Sequence, residues 1–179
     1  MNSINRNQPE QNHQDLSGGA AIEKIRELVK QSPTCFFCTA IVGGQPFETR
    51  PMSVQTVDDE GYLWFLSAND SAHVMELARS PFVQLLFKGS SHSDFLSLWG
   101  TATTSQDKQK IHELYEPIMK TWFTEGENDP RITVIKFAPQ QGYYWDTKHN
   151  RAVVFAKMIA GAITGKTLDD SIEGNLRVH

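Results

Sequence analysis

Three stretches of this sequence carry residue types whose spacing could do chemistry. The first is KMIAGAITGKT, residues 157–167, which ends in the Gly-Lys-Thr of a phosphate loop after an apolar run. A phosphate loop needs a glycine, four residues, then Gly-Lys-Ser/Thr, set between a strand and a helix of a parallel sheet. The residue five before Gly165 is Ala160, and Gly161 leaves only three residues between. The residues after Thr167, LDDSIEGN, have no helical period. The stretch reads as a surface turn with a solvated Lys166 rather than a nucleotide site.

The second is the Cys-x-x-Cys of Cys35 and Cys38. Redox chemistry places that motif at a helix start, where the dipole lowers a thiol pKa. Here it lies inside a strand-like run, TCFFCTAIV. Residues three apart on a strand face opposite sides and stand ~10 Å apart at ~3.3 Å per residue, beyond the ~7 Å reach of a disulfide. With no second cysteine pair, zinc is not expected either. The histidines, His13, His73, His92, His112, His149 and His179, are scattered, and no metal site is expected among them.

The third is spread over two elements: Arg50 in TRPMS, and FLSANDSAH, where a strand ends, turns and opens a helix. A helix start presents free N–H groups and a positive partial charge, which together suit an anion. Ser67 and Ser71 add hydroxyl donors, His73 lies on the first turn, and Arg50 could bring a guanidinium from a neighbouring strand. The plain alternative is that Ser71 only caps the helix and Arg50 makes a surface ion pair. Four tryptophans, Trp64, Trp99, Trp122 and Trp145, suit core or interface, with one or two free to flank a planar ligand.

The elements that must position these residues can be read from the hydrophobic period. Residues 1–18 are polar and read as a loose tail. AAIEKIRELVKQ places Ile22, Ile25, Leu28 and Val29 on one helical face. TCFFCTAIV, PFETRPMSVQTV and YLWFLS read as a three-strand meander, with Pro51 arguing for an edge or a bulge. NDSAHVMELARS is a short helix with Val74, Leu77 and Ala78 inward, and PFVQLLFK and DFLSLWGTATT are strands. From Asp107 a long helix is expected, with Ile111, Leu114, Tyr115, Ile118, Met119 and Trp122 as its stripe. RITVIKFAP, QGYYWDT and RAVVFA are further strands, and residues 168–179 read as a second tail. Many short strands with few helices between them fit a mainly β, antiparallel barrel with helices outside. A formal charge of -4 and a pI of about 5.8 give no footprint for nucleic acid. No run reaches a membrane span and no secretory leader is visible, so a soluble cytoplasmic protein is expected.

TRPMSVQTVDDEGYLWFLSANDSAHVMEL, then LSLWGTA, then a helix ending in Trp-Phe, then YYWD together resemble the pyridoxamine 5'-phosphate oxidase-related flavoproteins, in particular their general stress protein branch. The resemblance covers residues 20–167, so one domain is expected over 19–167. It implies an FMN-binding split β-barrel that forms a homodimer with flavin at the subunit interface. It implies that Arg50 binds the flavin phosphate, with Pro51 and Met52 running along the isoalloxazine. It carries Phe65, Leu66, Ser67 and Ser71 into the cofactor site, and places Trp99 and Gly100 close to the ring. Tyr144 and Trp145 would approach from the partner subunit. Where the family usually has lysine, this chain has His73. The implied activity is FMN-dependent hydride or electron transfer with a small-molecule donor and acceptor. The alternative is a flavin-binding stress protein without turnover, or a heme or deazaflavin binder on the same barrel. The substrate-binding arginine of the true oxidase is not found in YYWDTKHNRAVV, where Arg151 is a loose candidate.

Overall fold

The computed structural model describes residues 12–43, 45–89, 94–147 and 171–178. The Gly-Lys-Thr stretch, the RAVVFA segment, His92, His149, Arg151 and His179 lie outside the described residues.

Helix α1 (Gly19–Gln31) buries Ala21, Ile25, Leu28 and Val29, the face its 3.6-residue period dictates. Ile22 packs at its margin against the DDEG turn. There Gly61 has φ +87°, and a Cβ at that position would lie 2.8 Å from Ile22 Cγ1. Glycine is therefore required twice over, by backbone sign and by space.

Nine strands form one sheet: β1 (Leu16–Ser17), β2 (Thr34–Thr39), β3 (Glu48–Ser53), β4 (Thr56–Val57), β5 (Leu63–Ala68), β6 (Phe82–Lys88), β7 (Phe95–Ser105), β8 (Ile132–Thr147) and β9 (Ser171–Arg177). The main path runs β1-β9-β8-β7-β6-β2-β3; β5 adds to β8 and β4 to β5. All pairs are antiparallel except β1 with β9. The expected mainly β architecture with a few helices is present, and among the described residues the sheet is open between β1 and β3. Pro51 lies on β3, the end strand, where a missing ladder donor costs least. No described helix is long and apolar enough to cross a membrane.

Several expectations need correction. The three-strand meander is two hairpins, β2–β3 and β4–β5, because β5 pairs with β8 and not with β3. RITVIKFAP and QGYYWDT are one strand, β8. Its ladder with β7 shifts register between Trp99 and Gly100, and Gln140 is the unpaired extra residue of a bulge. The long helix stops early: α3 (Lys108–Leu114) ends at Tyr115, which is extended, and Pro117 starts a separate 3₁₀ turn over Pro117–Thr121. Proline disfavours helical geometry in the residue before it and lacks the N–H the next turn would need. Ile118 and Trp122 consequently leave the stripe and stand 66% exposed. Helix α2 (Ala72–Arg79) buries Leu77 but leaves Ala78 exposed. Both segments read as tails contribute strands: β1 lies within residues 1–18, and β9 within 168–179.

The main core joins α1 to the inner face of the sheet through Phe37, Phe65, Leu85, Leu98, Phe137 and Tyr144. A second cluster under α3 holds Ile111, Leu114, Met119, Phe123, Ile132 and Val134. Phe37 of β2 meets Phe65 of β5 edge-on, with ring centroids 5.3 Å apart. The sheet thus curls far enough to bring together two strands that do not pair.

Gly100 sits where the bulge presses β7 onto β8: a Cβ there would stand 2.0 Å from the Ala138 carbonyl oxygen. Gly100→Ala must displace backbone, and it is expected to lower unfolding free energy by about 3 kcal/mol. Urea titration should show a lower midpoint with an unchanged slope; an unchanged midpoint would show that the ladder relaxes freely.

Candidate functional site

Strand β5 alternates buried and half-buried residues, which sends Phe65 and Ser67 inward and Leu66 toward the second cluster. The chain then turns at Asn69-Asp70 and starts α2 at Ala72, so Ser67, Ser71 and His73 converge. Ser67 Oγ is 2.6 Å from His73 Nε2 and 3.2 Å from Ser71 Oγ, and Ser71 Oγ is 3.4 Å from the same imidazole nitrogen. Ser71 occupies the N-cap position of α2, but its hydroxyl makes no capping hydrogen bond. The capping alternative therefore fails, and both hydroxyls are turned toward His73.

Arg50 enters from β3. It pairs in register with Phe37, whose ring lies 6.2 Å from the His73 ring. Its Nη2 donates to Glu76 Oε2 at 2.9 Å and to Thr39 Oγ1 at 3.2 Å. The Thr39 hydroxyl in turn donates to the same Glu76 oxygen, which closes a triangle of three side chains. Thr39 is fully buried, and Arg50 and Glu76 keep under a fifth of their side-chain surface. The ion-pair alternative for Arg50 is thus present, but as a sheltered pair beside the helix start.

The electrostatics are set by this placement. Burial first, and the Arg50 charge second, hold His73 down to about 4, against an opposing pull from Glu76. The imidazole is neutral at pH 7. Burial alone would raise the Glu76 pKa, but the Thr39 hydroxyl and the Arg50 guanidinium outweigh it and the net shift is downward. Glu76 is ionised and neutralises Arg50.

The expected site residues fall into two groups. Arg50, Ser67, Ser71 and His73 come together. Met52 and Phe65 support them from the core, the latter with no exposed surface. Pro51 points the other way. By strand alternation it lies on the outer face of the sheet, in the row Pro51–Phe36–Leu86–Ser97–Tyr143. Trp99 and Trp145 share that outer face. Trp99 stacks on Phe82 at 5.4 Å, and Trp145 lies against Tyr143 at 4.7 Å. Tyr144 faces the core, its hydroxyl donating to the Gln14 carbonyl. Gly100 serves the close approach of β7 and β8. Within one chain the polar cluster and the outer aromatics are not brought together.

Other candidates resolve structurally. Trp64 donates to Asp58 at 2.7 Å, with the ammonium groups of Lys110 and Lys136 at 4.4 and 5.4 Å from its ring. His112 is exposed and bonded to Glu127. Cys35 and Cys38 are buried, unpaired thiols, and burial pushes Cys35 up to about 12, outside the nucleophilic range. Among the described residues no group of three or more His, Cys, Asp or Glu could hold a metal ion. Sequence reasoning missed Thr39 and Glu76. Glu76 was findable, since it lies three residues beyond His73 on the same helical face.

Residues 20–169 match the sequence model of the pyridoxamine 5'-phosphate oxidase-like proteins. The chain belongs to the pyridoxamine 5'-phosphate oxidase-like family. The family is the one the R-P-M, SANDSAH and YYWD stretches resemble. A related sequence is protein bli-3 of Neurospora crassa, 27% identical over 127 residues, 66% of this chain. The chain spans only 61% of the length of bli-3. The fold is shared with a protein from Jannaschia sp. CCS1 described as general stress protein 26, at a TM-score of 0.73 and 23% identity, over 89% of this chain and 99% of that one. It is also shared with a general stress FMN/FAD binding protein of Xanthomonas citri, at a TM-score of 0.58 and 22% identity, over 70% and 87%.

In this member of the pyridoxamine 5'-phosphate oxidase-like family, His73 should titrate by NMR with a midpoint near 4, against 6.5 for an unperturbed imidazole. Because the folded value is depressed, the stability this contributes is complete above pH 6.5 and is lost as pH falls through about 4. A midpoint at 6 or above would mean that His73 does not occupy the sheltered position described.

Proposed function

We propose that this protein is an FMN-binding flavoprotein of the general stress type. In this reading it is a split β-barrel working as a cytoplasmic homodimer and transferring hydride or electrons between small molecules. The supporting observation is the donor set at the start of α2. Two hydroxyls and an imidazole nitrogen gather at a helix start, near enough to the Arg50 guanidinium for its charge to act on that imidazole, a grouping whose chemistry suits a phosphate. That set lies in a chain of a family that includes pyridoxamine 5'-phosphate oxidase-like proteins, with the fold of a protein described as FMN/FAD binding.

Ser67, Ser71, His73 and Arg50 would hold the phosphate. FMN, when bound, supplies the hydride and electron chemistry. The protein binds the cofactor, fixes its orientation and lends a weakly polar setting through neutral His73 and the paired Arg50. The outer face supports the dimer: Phe36, Leu86, Phe82 and Phe95 are 55, 39, 45 and 43% exposed there, beside Pro51, Trp99 and Trp145. Exposed apolar side chains grouped on one sheet face suit a subunit interface. In this reading Trp145 of one subunit approaches the flavin of the other, as the family resemblance implies.

Purified protein reconstituted with FMN should absorb at about 375 and 450 nm, as oxidised flavins do, and NADH or NADPH should bleach the longer-wavelength band. Failure to take up FMN would overturn the flavin reading. Uptake without reduction would assign the chain to flavin binding without turnover. Arg50→Ala should weaken FMN about thirtyfold and riboflavin less than about threefold, since only FMN carries the phosphate. Equal losses would take Arg50 out of phosphate binding. Sedimentation should give twice the 20.2 kDa chain mass, and Phe36→Glu should give the monomer. A monomeric wild type would remove the dimer from the proposal.

A further inference from the structure

Glu76 is the member of this cluster that the anion-site reading does not absorb. Its carboxylate lies 2.9 Å from the guanidinium assigned to the phosphate. It is pinned there by two donors, Arg50 and the fully buried Thr39. Glu76 projects from the middle of α2 and Thr39 from the end of β2, and the hydrogen bond between them ties the carboxylate to the sheet. Among the described residues, the charged side chains of this cluster are one cation and one anion in contact, and their charges cancel.

A phosphate monoester brings about -1.5 to -2 charges at pH 7. To reach Arg50 it must either take Nη2 from Glu76 or share the guanidinium with a carboxylate that repels it. A ligand ending in a hydroxyl meets no such opposition, because a hydroxyl donates and a carboxylate accepts. We infer that Glu76 is a specificity-determining residue that acts through Arg50, holding down the advantage of a phosphorylated flavin over an unphosphorylated one. This rests on the flavin reading above, and it makes riboflavin a competent ligand of the same site.

The test is the ratio of FMN to riboflavin affinity, measured by flavin fluorescence on the full-length protein. Wild-type protein should prefer FMN by less than about a hundredfold, whereas a phosphate held by two or three unopposed charge-assisted hydrogen bonds would exceed that. Glu76→Gln keeps the shape and an acceptor oxygen while removing the charge. It should tighten FMN about tenfold and leave riboflavin within about threefold. A merely structural role for Glu76 would move both ligands together and leave the ratio fixed. A wild-type preference above about a hundredfold overturns the inference, as does a variant whose FMN affinity falls or stays put. The wild-type ratio decides the matter even if the variant does not fold. Absence of binding by either flavin brings down the flavin reading and this inference with it. Binding of both with an unresponsive ratio brings down the inference alone.

Discussion

Strand β8 is the backbone ladder on which the rest of the molecule is hung. Over its 16 residues it pairs with β7 along one edge, while its other edge serves β5 first and β9 afterwards. The two arms of the candidate site reach β8 by different routes. Ser67 sits on β5, bonded directly to β8; Arg50 sits on β3, four pairings away through β2, β6 and β7. The distance between hydroxyl and guanidinium is thus set by the register and curl of the intervening strands. The Phe37–Phe65 contact fixes that curl, since it ties β2 to β5 across the interior. Burying two aromatic side chains there stabilises the core and also positions the site.

The site itself is built around near-neutrality. His73 is too buried and too close to Arg50 to carry charge at neutral pH, and Glu76 offsets the Arg50 charge. A lysine at position 73 would have added a strongly hydrated point charge. A neutral imidazole adds only a directional hydrogen bond to Ser67. Affinity in such a cluster depends on geometry more than on long-range attraction, so it should respond weakly to ionic strength.

How much of this was legible in the sequence depends on how local the cause is. Helix α1, the β6 and β7 strands and the DDEG turn were readable because period and turn chemistry act within a dozen residues. So was the convergence of Ser67, Ser71 and His73, which one strand-to-helix turn dictates. The choice of β8 as partner for β5 was not readable, because Leu63 and Phe137 are brought together only by the whole sheet. β9 was missed because SIEGNLR has a polar surface composition and gains its place from β8 and β1. Pro117 carried a readable signal that the strong apolar stripe outweighed. The Arg50–Glu76 pairing needed the fold, since many exposed carboxylates were equally plausible partners for one arginine.

The bulge at Gln140 has a consequence for how this chain can vary. Side chains on a strand alternate, so one unpaired residue decides which aromatics of the next stretch face inward. With Gln140 in place, Tyr144 is core and Tyr143 and Trp145 are on the outer face. Its own side chain is exposed and touches little of this. Drift at that position is therefore nearly free in residue identity, and what must be kept is the pairing of Gln141 with Trp99. A gap of one there would leave a regular ladder with Tyr143, Tyr144 and Trp145 on the faces they now hold, whereas a slip that paired Gln140 with Trp99 would turn the outer aromatics inside out.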